Sequence, residues 1–148
     1  MLKVYGFSNA SAGAMGNTRD LRVLWELFEM QLPRTVVTAQ VDVRPGGARL
    51  IVMRGPDGMD MPGRGVYLDV AENERLVFTD AFTSAWEPSD KAFSVVTMTL
   101  EDLGGDCTQY TARVLHWSVA DREAHEKMGF HAGWALCADR LAALVAKL

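Results

Sequence analysis

The chain has 148 residues, 49% of them hydrophobic, and a formal net charge of −4 at pH 7. That length suits one domain with a substantial core, and the acidic balance gives no long-range attraction to nucleic acid or to an anionic membrane surface. No run is long and apolar enough to cross a bilayer, Met1 to Tyr5 lack a signal peptide's apolar core, and Cys107 and Cys137 have no metal-site or disulfide-framework spacing. The expectation is a cytoplasmic protein without metal or cofactor.

Met1 to Phe7, with Leu2 and Val4 alternating, predicts a short strand. Ser8 to Asn17 is rich in Ser, Ala, Gly and Asn and predicts a connector leading to an N-cap at Asn17 or Thr18. Leu21, Leu24, Trp25 and Phe28 then recur at helical spacing, which predicts a short helix over Arg19 to Met30, stopped by Pro33.

Beyond Pro33 the period changes from about 3.6 to 2, the mark of a switch from helix to sheet. Val37, Ala39, Val41 and Val43 share one strand face, the turn Arg44-Pro45-Gly46-Gly47 follows, and Ala48 to Arg54 pairs back across it up to Gly55-Pro56-Asp57-Gly58. Val66, Leu68 and Val70 define a third strand, and Leu76, Phe78 and Phe82 a fourth. Ser84 to Asp90 reads as the longest loop, with a fifth strand over Ala92 to Leu100 and a sixth over Thr108 to Trp117 across Gly104-Gly105-Asp106. Short turns between successive strands imply antiparallel pairing. From Ala120 the period is helical again, with Phe130, Trp134, Cys137, Leu141, Leu144 and Leu148 on one stripe and Gly129 and Gly133 marking a bend or close packing.

The expected class is α+β: a helix-grip fold in which a curved antiparallel sheet of about six strands wraps a long C-terminal helix, with a short N-terminal helix. Curling the sheet covers the helix's apolar stripe and leaves a largely apolar concavity of the kind that takes small ligands.

The motifs VDVRPGG (41–47), MRGPDG (53–58), GVYLDVAENERLVFTD (65–80), and GW at 133–134 followed by DRLAALV (139–145) resemble the homologues of the heat-shock protein 90 ATPase activator. That family sits in the START-like or SRPBCC superfamily with the birch-pollen-allergen proteins. The resemblance spans about residues 36–148 and implies the helix-grip fold. It also implies binding of lipids, sterols, hormones or polyketides by relatives, with cyclases in a minority. Residues 1–35 are atypical: Met30-Gln31-Leu32-Pro33-Arg34 lacks the aromatic segment usual there. The long connector before the expected helix raises an open cavity mouth, a swapped strand or a covering dimer.

The glycine-rich turns join strand to strand and lack a P-loop's Lys-Ser/Thr, so they are hairpin turns and not phosphate cradles. His116, His125 and His131 lack metal-ligand spacing, and neither a nucleophile elbow nor a triad occurs. Tyr67, Asp69, Tyr110, Arg113 and His116 are the groups available for general acid/base work. Met53, Met59, Met61, Met98 and Met128 read as packing residues, and Trp86 and Trp117 as rim residues. The resulting expectation is a non-enzymatic binder of a hydrophobic lipid or aromatic metabolite, its cavity lined by Phe78, Phe82, Met98, Tyr110, Phe130 and Trp134, as monomer or homodimer. The alternatives are a protein-interaction or chaperone-associated module and, behind it, a cyclase-like enzyme.

Overall fold

The computed structural model describes residues 2–6, 35–105 and 107–145. The expected connector and the short helix over 19–30 lie outside the described residues. The strands are β1 (Leu2–Gly6), β2 (Thr35–Val41), β3 (Ala48–Arg54), β4 (Asp60–Ala71), β5 (Arg75–Thr79), β6 (Phe82–Ser84), β7 (Glu87–Pro88), β8 (Ser94–Gly104) and β9 (Cys107–His116). Two helices follow, here α1 (Val119–Lys127) and α2 (Phe130–Val145). Seven strands form one sheet in the order β1-β9-β8-β5-β4-β3-β2, every neighbouring pair antiparallel. This is the meander of hairpins that the turn spacing predicts, closed on its far side by the N-terminal strand against β9.

Register puts the apolar residues of successive strands in rows. Phe78 pairs with Val96 and Val96 with Val114, while Leu76 pairs with Met98 and Met98 with Ala112. These rows, with Tyr67 and with Phe130 and Trp134 of α2, make one buried cluster, so α2 lies across the sheet on its apolar stripe.

Four local expectations are corrected. The expected alternation of Val66, Leu68 and Val70 is broken: the β4–β5 register slips between Tyr67 and Asp69, and Leu68 is extruded to 45% exposure. The bulge resets the parity of the strand, so Tyr67 and Val70 take the core side. Second, Val37 and Ala39 are exposed on the edge strand β2, and only Val41 and Val43 of that set reach the core. Third, the fourth strand stops at Thr79, and Phe82 pairs instead with Pro88 in the small β6–β7 hairpin that replaces the expected long loop. Fourth, the C-terminal helical segment is two helices, separated at Gly129, whose φ of 93° only glycine adopts readily.

The turn between β2 and β3 is tied down rather than open. Gly46 N–H donates to Tyr67 O at 2.8 Å and Tyr67 N–H to Gly47 O at 2.9 Å. A Cβ at Gly47 would lie 1.9 Å from the Asp42 carbonyl oxygen, so close packing fixes glycine there. The backbone groups that a phosphate cradle would present are already bonded within the fold.

Candidate functional site

At one end of the sheet a run of hydrogen bonds passes from β5 through β8 and β9 to α1. Beyond β5, one carboxylate oxygen of Asp80 accepts from the backbone N–H groups of Phe93 and Ser94, both at 2.9 Å. The Thr79 hydroxyl donates to the Ser94 carbonyl at 2.9 Å. The start of β8 is held rigidly by these contacts, and with it the Phe93 carbonyl, which lies 2.9 Å from Nδ1 of His116. His116 Nε2 lies in turn 3.1 Å from Nδ1 of His125.

The placement of His125 follows from the cap of α1. Ser118 is the N-cap, its hydroxyl accepting from Asp121 N–H at 3.1 Å. Seven residues on, two helical turns bring His125 back to the N-cap's side of the helix, facing the end of β9. The rings then cluster: Phe93 to His116 at 4.9 Å, Phe93 to His125 at 5.2 Å, and His125 to Phe130 at 4.7 Å between centroids. Burial, and then the neighbouring His116, push the His125 imidazole down from 6.5 to about 4, although the last turn of a helix ordinarily favours a cation. His125 is therefore neutral near pH 7.

A pocket of about 330 Å³ opens at this cluster, bounded by the end of β9, the start of α1 and Phe130 of α2. Its floor includes Val114 and Phe130, members of the buried core, and its mouth includes Trp117 and Val119, which are 56% and 66% exposed. Arg122 and Glu126, about 4.0 Å apart, stand at the edge as a partly exposed pair. A wider cleft of about 700 Å³ lies between β2, β3, β4 and the β6–β7 hairpin. Of its two carboxylates, Asp42 pairs with Arg44 at 2.8 Å, and Glu87 accepts from the hydroxyls of Ser84 at 2.8 Å and Thr83 at 3.0 Å.

Of the six expected lining residues, Phe78, Met98, Phe130 and Trp134 meet in the core cluster and Tyr110 packs against it. Phe82 is placed elsewhere, its ring 6.4 Å from Trp86. Only Phe130 of the six also borders the 330 Å³ pocket. Tyr110 donates to Met98 Sδ at 3.5 Å, and burial followed by Cys137 pushes its phenol well above the usual range. Among the acid/base candidates, strand alternation puts Tyr67, Tyr110 and His116 on the helix-facing side. Asp69 and Arg113 fall on the other, where Asp69 pairs with Arg75 at 2.6 Å.

Sequence spacing does not reveal the proximity of His116 and His125, because nine residues and a change from strand to helix separate them. The cap sequence Ser118-Val119-Ala120-Asp121 directly after the strand is the signal that would have found it. Among the described residues no group of three or more His, Cys, Asp or Glu side chains could hold a metal ion, and no helix is long and apolar enough to cross a membrane.

A family model described as activator of Hsp90 ATPase homolog 1-like protein matches residues 18–146, a span that takes in the expected helix over 19–30. No curated protein matches. Among solved structures, protein NE0264 from Nitrosomonas europaea is 29% identical with a TM-score of 0.86, over 99% of this chain and 94% of its own. A Rhodobacter sphaeroides protein has a TM-score of 0.76 at 17% identity over 99% and 93% of the two chains. Protein Ms6760 from Mycobacterium smegmatis has 0.68 at 22%, over 99% and 90%; the last two likenesses show the fold alone.

Proposed function

The chain belongs to the activator of Hsp90 ATPase homolog 1-like family, and from that premise we propose that it binds a small, mainly apolar molecule between the sheet and its C-terminal helices, without turnover. The observation that supports this reading is the 330 Å³ pocket, whose floor is continuous with the buried cluster through Val114 and Phe130. Its volume lies at the lower end of the range for small-molecule sites. Apolar walls with a few polar groups are the composition such sites use to gain affinity from burial and orientation from single hydrogen bonds. Phe78, Met98, Tyr110 and Trp134 lie in or against the cluster behind the floor, where a longer ligand would reach them by parting α2 from the sheet.

The test is an NMR titration of the uniformly labelled protein with fatty acids, sterols and bicyclic aromatics. Saturable amide shifts centred on residues 114–130 are the expected result. Saturation by none of them would overturn the reading in favour of docking onto a protein partner such as heat-shock protein 90. For that alternative the supporting feature is Trp86, 88% exposed at the β6–β7 hairpin and held at a φ of 65°, a conformation bulky residues adopt only under constraint.

A further inference from the structure

With both rings neutral, the two histidines are wired in one direction. A carbonyl oxygen can only accept, so the 2.9 Å contact to Phe93 O makes His116 Nδ1 the N–H donor. In neutral His116 the lone pair is then on Nε2, and the 3.1 Å contact to His125 requires His125 Nδ1 to donate. The sequence ends on Nε2 of His125, on the far side of that ring from His116. A neutral imidazole with its proton on Nδ1 carries a lone pair there, and no described residue hydrogen-bonds to it. Burial keeps the ring neutral at physiological pH, and His125 borders the 330 Å³ pocket beside Trp117 and Phe130.

We propose that the pocket selects its ligand by one hydrogen bond, a neutral phenol-type hydroxyl donating to Nε2 of His125 while the aromatic body lies against Phe130, Trp117 and Val119. The inference rests on the pocket reading above. A lone pair on a ring that borders a mainly apolar pocket rewards a donor and penalises a group that can only accept, because burial without a partner costs each polar atom its hydration. A carboxylate has a different anchor: Arg122 borders the pocket with its Nε making no hydrogen bond and its ion pairs to Glu123 and Glu126 at only 4.0 Å, so an anion is read by that cation and not by the imidazole. Asp80 takes part only at a distance, by fixing the Phe93–Ser94 backbone on which His116 hangs.

The test compares 2-naphthol, 2-methoxynaphthalene and 2-naphthoate on the full chain, with dissociation constants from the amide titration and imidazole nitrogens followed by long-range proton–nitrogen correlation. The unliganded protein should show both histidines protonated on Nδ1. 2-Naphthol should bind at least about fivefold more tightly than the methyl ether and move the His125 Nε2 resonance toward lower frequency. His125→Phe, which keeps an aromatic ring between Phe93 and Phe130, should erase that preference while retaining affinity for the ether. Equal binding of naphthol and ether, with Nε2 unmoved, would overturn the hydrogen-bond inference and leave the pocket reading standing. A proton found on His125 Nε2 would overturn it on the wild-type protein alone. Failure of all three compounds to bind would overturn the inference together with the pocket on which it rests.

Discussion

Arg49 and His125 are both ionisable groups taken out of water on the helix-facing side of the same sheet, and they end in opposite states. Arg49, on β3, lies 6% exposed with its guanidinium carbon 4.8 Å from the centre of the Phe78 ring. Burial lowers it from 12.5 to about 10, against the raising influence of Tyr67 and Asp80, so it stays a cation at neutral pH. Desolvation of similar direction takes His125 to about 4 and leaves it neutral. The same physical cause therefore leaves a fixed charge at a buried position and an uncharged acceptor at a half-buried one, because the two groups start on opposite sides of neutrality. Asp80 acts on both, raising each.

The largest expected effect follows from removing the buried charge. Arg49→Ala removes the cation stacked on Phe78 and leaves a void beside the fully buried Tyr67, at a cost of about 3 kcal/mol. Chemical denaturation would measure it. An effect below about 1 kcal/mol would show that the buried cation contributes little there. Ligand affinity at the distant pocket should be unchanged in whatever fraction folds.

How much of this contrast can be read from the chain depends on its sequence range. The hairpins are legible because turn residues such as Arg44-Pro45-Gly46-Gly47 fall between period-2 runs, and their antiparallel order follows from loop length alone. The family resemblance is legible for the same reason, since its motifs are these turns and their flanking strands. A bulge is not legible: the extra residue at Leu68 is apolar like its neighbours, and only pairing with β5 reveals which side it takes. Arg49 reads as a surface position in a strand, since nothing local announces that its stem packs inward over Phe78. The break between α1 and α2 is half legible, because Gly129 marks a bend without stating how sharp it is. Five of the six expected lining residues lie in or against the core cluster, while Phe82 sits in the next hairpin, because the apolar period runs on past the end of β5 at Thr79.

A smaller effect tests the link between the two regions. Asp80→Asn keeps an oxygen to accept from Phe93 and Ser94 and removes the negative charge that both Arg49 and His125 feel. The expected cost is about 1 kcal/mol, with the His125 midpoint displaced still lower because a raising influence is lost. A histidine titration followed by NMR would check the direction, and a midpoint that rises would break the comparison.

The smallest effect at neutral pH is the one most specific to the pocket-lining ring. His125→Phe should change stability by less than about 1 kcal/mol at pH 7, since a ring still fills the space among Phe93, His116 and Phe130. Its signature lies in the pH dependence. The folded state holds His125 at about 4 against 6.5 for an unperturbed group, so between those values the unfolded chain binds the proton more strongly and stability falls as pH falls. The contribution is complete above about pH 6.5 and is lost progressively down to about pH 4. For a ring still partly open to solvent, screening reduces it to about 1–2 kcal/mol. Carboxylates titrating in the same window act equally on wild type and variant, so subtracting the two stability curves isolates the imidazole. A wild-type-minus-variant stability that falls steadily from pH 6.5 to pH 4, the wild type losing ground to the variant, is the expected result. Parallel curves would mean that His125 is as well hydrated in the fold as outside it, and the distinction between a buried charge and a neutral pocket-lining ring would fail.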